Sequence, residues 1–136
     1  MLDKRILIST IAVFATFAVY GFLTWGVLLA DIMHHEMGNV WRPEDAIEMP
    51  WIFIAYIVMA YPMVLIWKYG QEDKGVAEGV RYGLMAGALV GATRFIAYAV
   101  QPITLKGALM AFGIDLVMFV VAGVVLSIVY KALGAK

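Results

Sequence analysis

The sequence predicts an all-α polytopic membrane protein, a bundle of four transmembrane helices, and three observations predict it. Residues of the set AVILMFWYC fill 64% of 136 positions, and the mean hydropathy is +0.89, whereas a soluble domain is about 45–50% apolar. A chain this short buries only about two-thirds of its surface in water, so the excess must meet a second apolar medium, which lipid supplies. The apolar residues fall in four long runs that are continuous rather than alternating. Continuity favours helices over a barrel, because only a helix satisfies its own backbone within one segment.

A helix needs about 20 apolar residues to cross about 30 Å of hydrocarbon. Spans are therefore expected at about 6–30, 49–67, 82–100 and 108–130, within one membrane domain. The first run carries no charge from Ile6 to Ala30, about twice the length of a signal-peptide core, and lacks an Ala-x-Ala cleavage site, so it is expected to be retained. Pro62 in the second run predicts a kink that releases the carbonyl of Val58. Pro43 followed by Glu44 and Asp45 predicts a helix start, since acids suit the first turn.

Ten basic and ten acidic residues cancel, which argues against nucleic acid as a partner. Their placement is uneven. Lys4, Arg5, Lys68, Lys74, Arg81, Lys131 and Lys136 fall on one side of the predicted membrane, and only Arg42 and Lys106 on the other. The positive-inside rule then predicts a multi-pass cell-membrane protein with both termini in the cytoplasm. Trp25, Trp51 and Tyr98 near the outer ends, with Trp67, Tyr69, Tyr82 and Tyr130 near the inner ends, fit an interfacial aromatic belt. Without cysteine, disulfides, thiolate metal sites and a cysteine nucleophile are excluded.

Gly75, Gly79, Gly83, Gly87 and Gly91 recur every four residues. On a helix they make one bare stripe, which Ala88 and Ala92 are expected to widen, and small residues at this spacing let backbones approach in lipid. The stripe packs either against another helix of the chain or against a second copy.

Arg94 and Asp115 are the only formal charges well inside a predicted span. Each costs about 2.5–3.5 kcal/mol at mid-bilayer, so each calls for a partner and points to the bundle interior. At about 1.5 Å per residue, Thr24, Tyr56 and Arg94 lie roughly 9 Å from the outer ends of their spans, and Tyr20 and Asp115 roughly 15 Å. Together these five residues outline an outward-facing polar chamber for a small solute, or an Arg94–Asp115 pair that only fixes helix registry.

The outer connection gathers Met33, His34, His35 and Met37 with two acids, Asp31 and Glu36. Imidazole and thioether suit copper, zinc or haem iron, although no H-E-x-x-H spacing is present. No phosphate loop or Ser/His/Asp order gives familiar soluble catalysis a foothold either.

The run E-G-V-R-Y-G-L-M-A-G from Glu78, the segment Gln101-Pro102-Ile103-Thr104-Leu105, the Asp115-bearing last helix and G-F-L-T-W-G at the end of the first span resemble small four-helix bacterial integral membrane proteins of an uncharacterised family. That resemblance implies the architecture and assigns no site residues. Function then divides three ways: a solute-binding or permeation protein working as a homo-oligomer, a non-catalytic subunit of a larger membrane complex, or a metal- or haem-binding protein using His34 and His35.

Overall fold

A computed structural model describes residues 3–134, and Lys136 of the charge pattern lies outside them. All secondary structure among the described residues is helical. The helices are α1 (Lys4–Gly21), continued by a π-helical segment (Phe22–Leu28), then α2 (Ala30–Met37), α3 (Met49–Gly70), α4 (Val76–Gly91), α5 (Thr93–Val100) and α6 (Leu105–Gly134). Four of the continuous stretches, Lys4–Leu28, Met49–Gly70, Val76–Val100 and Leu105–Gly134, are long and apolar enough to cross a membrane. The chain is thus an all-α membrane protein: the last three spans exceed the sequence boundaries because their polar ends continue the helix, whereas the first begins and ends two residues earlier than expected.

Local chemistry sets these limits. Asp3 caps α1, its carboxylate accepting the Ile6 N–H at 2.8 Å, which satisfies one of the donors that a helix start leaves open. That bond holds the Asp3 carboxyl below the usual carboxylate range. Beyond Gly21 the first span loosens, and the Leu29 N–H reaches back five residues to the Thr24 carbonyl at 2.9 Å. α3 starts with proline in its first turn and continues through Pro62 to Gly70. A helix does start after Pro43, but as a single 3-10 turn, Glu44–Ala46.

The connection before α4 is tied down by Glu78, whose carboxylate accepts the N–H groups of Glu72 at 2.5 Å and Lys74 at 3.0 Å. At its end Gly75 has φ +80°, a conformation that favours glycine. Gly75 therefore serves the turn, and a Cβ there would meet nothing within 4 Å. This corrects its assignment to the packing stripe.

The α6 helix is the centre of the bundle, with α4 laid along one side, α1 along another, and α3 packed on α1. The remaining four glycines explain the α4 contact. A Cβ at Gly79 would sit 2.5 Å from the Gly123 carbonyl oxygen, one at Gly83 would strike the Phe119 carbonyl, one at Gly87 would lie 3.0 Å from Leu116 Cα, and one at Gly91 would lie 2.9 Å from the Phe112 ring. The two backbones touch because nothing stands between them. Ala88 and Ala92 are exposed and do not widen this face.

From α1, Ile6, Ser9, Val13, Phe17 and Gly21 form the buried stripe. The Phe17 ring lies 5.1 Å from Phe119 and 6.0 Å from Tyr56, joining three helices. Both described ends of the chain meet at one end of the bundle, where Arg5 donates from Nε to the Tyr130 carbonyl at 2.8 Å and stacks on the Tyr130 ring. We call this the terminal end and the opposite one the loop end. The outward faces are apolar, with Leu89 78% and Val100 77% exposed, as lipid contact requires.

Candidate functional site

The third and first spans lose helical regularity near the loop end, and charge collects there. Between α4 and α5 the helix is interrupted at the single residue Ala92, whose N–H still donates to the Ala88 carbonyl at 3.0 Å, and the Thr93 hydroxyl donates to the Val90 carbonyl at 2.7 Å. On the facing helix, Asp115 approaches the bare surface of Gly91, where a Cβ would stand 3.5 Å from its own. Arg94, three residues past Gly91, reaches it. Arg94 Nε donates to Asp115 Oδ2 at 2.8 Å and Nη2 donates to Oδ1 at 3.2 Å, a two-pronged ion pair. A guanidinium forks onto a carboxylate in this way, through two N–H donors on two oxygens.

The pair is lopsided in access. The Asp115 side chain is 6% exposed and the Arg94 side chain 32%, so the cation presents the approachable edge. The guanidinium carbon lies 5.2 Å from the Trp25 ring centre, within cation–π range. Trp25 belongs to the π-helical segment, and Trp41 meets it edge-on at 5.8 Å. Irregular backbone at membrane depth persists where protein or a cavity receives it, and π segments recur at functional sites.

The other expected site residues come to the same region by different means. The Tyr20 hydroxyl donates to the Ile114 carbonyl at 3.1 Å, one residue from Asp115. The Thr24 hydroxyl donates to the Tyr20 carbonyl at 2.7 Å. Tyr56 arrives from α3, its hydroxyl pressed against Gly21, where any Cβ would collide with it. Tyr20 and Thr24 thus spend their donors on backbone carbonyls, whereas Arg94 engages Asp115 through two of the five N–H donors of a guanidinium.

The histidine cluster does not converge. The His34 ring packs 6.0 Å from Trp41. His35, with its side chain 85% exposed, stands 3.8 Å from the Glu36 carboxylate. Met33 and Met37 turn the other way, into a core with Ile103, Ala108, Ala111 and Ile114. Helical geometry causes the split, since Met33 and Met37 share one face of α2. Among the described residues no group of three or more His, Asp or Glu side chains could hold a metal ion. Glu36 instead accepts the Thr104 hydroxyl, and Thr104 accepts the Gly107 N–H at 2.9 Å at the start of α6.

Sequence reasoning missed Trp25 as the arginine's ring partner and Glu78 as the organiser of the 71–75 connection. A signal existed for the second: a glutamate at the third position of a helix can reach back to backbone donors before it. No family model, no curated protein and no solved structure matches the chain.

Proposed function

We propose that this protein binds, and in an oligomer permits passage of, a small anionic solute at Arg94, reached from the side of the membrane opposite both termini. The supporting observation is the lopsided Arg94–Asp115 pair, set where the first and third spans depart from regular helix. Intramembrane charges lean toward function, and discontinuous helices mark solute sites in many transporters. Asp115 holds the guanidinium in place through two hydrogen bonds while its exposed edge meets the solute. The terminal end carries Lys4, Arg5, Lys68, Lys74, Arg81 and Lys131, a distribution that supports a cytoplasmic terminal end under the positive-inside rule.

A second reading has its own support. Because Tyr20 and Thr24 are already satisfied by backbone carbonyls, the polar set also suits a registry device in a structural subunit of a membrane complex. Trp25 beside Arg94 separates the two. In nanodiscs, formate, acetate, phosphate or sulfate should change the Trp25-dependent fluorescence of the native protein, identified by its loss in Trp25→Phe, and should leave Arg94→Met unchanged. No response to any of the four in a folded protein would remove the solute reading.

A further inference from the structure

At the loop end a second site joins charge to apolar surface. The connection leading into α3 and the first turn of that helix enclose an open groove of about 560 Å³, within the range of about 300–1,000 Å³ that small-molecule sites occupy. Trp41, Ile47, Trp51 and Ile52 form its apolar walls, and Arg42 and Glu48 supply its charges. Arg42 Nη1 lies 2.7 Å from Glu48 Oε2, with both side chains more than half exposed. An exposed pair of this kind contributes little stability, so either member can exchange partners at small cost.

The groove's depth follows from the fold. The second span begins at Met49, which puts its first turn at the boundary between water and hydrocarbon, where tryptophan is favoured. Trp51 is 66% exposed there, and Ile54 and Val58 continue the same face of α3 as exposed apolar residues. One cation and one anion at headgroup level lie above an apolar track that descends into the bilayer.

We propose that the groove holds one phospholipid with a zwitterionic, primary-amine headgroup. Its phosphate takes Arg42, assisted by the N-terminal dipole of α3, its ammonium takes Glu48, and an acyl chain lies along Trp51, Ile54 and Val58. The charges select this class. An ammonium offers three N–H donors to a carboxylate, a trimethylammonium offers none, and a phosphoglycerol headgroup brings no cation for Glu48. The assignment rests on the membrane-spanning architecture and is independent of the reading of Arg94.

The test is native mass spectrometry of the full chain released from bilayers containing equal phosphatidylethanolamine, phosphatidylcholine and phosphatidylglycerol. The expected result is one phosphatidylethanolamine retained per chain, at least fivefold over either competitor. Arg42→Gln/Glu48→Gln should bring the three lipids to parity with circular dichroism unchanged, and Arg94→Met should keep the preference. Equal retention by the native chain would overturn the proposal. So would a preference that survives Arg42→Gln/Glu48→Gln, or a dimer that this double variant abolishes, which would assign the groove to a second copy.

Discussion

Replacing single glycines by alanine measures how closely α4 and α6 touch. A Cβ at Gly83 would strike the Phe119 carbonyl and lie 2.6 Å from Val120 Cα, whereas at Gly113, on α6, it would meet nothing within 4 Å. Both positions lie inside helices, so both alanines gain the same intrinsic preference of about 1 kcal/mol, and the difference between them isolates packing. Moving Val120 Cα from 2.6 Å to the 3.4 Å of ordinary contact separates the backbones by about 0.8 Å, and a gap of that size forfeits a quarter to a half of each dispersion contact it opens. The obstruction is backbone and cannot rotate away. Gly83→Ala should therefore be less stable than Gly113→Ala by about 1–3 kcal/mol, the usual cost of overpacking. Gly87→Ala, where the nearest atom is at 3.0 Å, should fall between them. Unfolding by sodium dodecyl sulfate in mixed micelles, followed by far-ultraviolet circular dichroism, reads these values. A Gly83→Ala protein as stable as Gly113→Ala would refute the close-contact argument.

The Arg94–Asp115 pair should behave as a unit: Arg94→Met and Asp115→Leu are each expected to cost more than the double variant, with a coupling of about 1–3 kcal/mol. Additive effects in that double-mutant cycle would mean that the charges act separately. Acid should weaken the start of α1, because the Asp3 carboxyl titrates lower in the folded chain than in the unfolded one. Its contribution is complete above the unfolded pKa and disappears as pH falls through the folded value, so Asp3→Ala should flatten the acid limb of a stability–pH curve. An unchanged limb would place that acid sensitivity elsewhere. Finally, an export-dependent phosphatase fused after Gly134 should be silent, since the terminal end gathers the basic residues; an active fusion would invert the proposed topology.

The spans were legible because a run of apolar residues is itself the property that lipid selects. The ion pair was legible for a related reason, since two charges in such runs leave each other as partners, and the structure places Arg94 against Asp115. The mate of the glycine stripe was not, because spacing describes one surface and never the surface facing it. Gly75 kept the period of four while serving a turn with positive φ, and the sequence does not separate those two uses of glycine. His34 and His35 looked like a cluster because they are adjacent, but their rings part toward Trp41 and solvent. The π-helical segment has no residue signature comparable to a cap or a proline. The loop-end groove combines common residues from two elements and becomes visible only once these are folded together.

The central place of α6 also bears on how the molecule is made. Synthesis releases α1, α3 and α4 before the helix against which α1 and α4 pack. Until then the bare edge of α4 from Gly79 to Gly91 faces lipid or the insertion machinery without its proper neighbour. Assembly is thus completed late: α1 and α3 can pack on each other early, but α4 acquires its place only when α6 joins them. Chains halted before Gly123 would lack the carbonyl and hydroxyl groups that receive Gly79, leaving inserted but loosely associated helices exposed to membrane quality control.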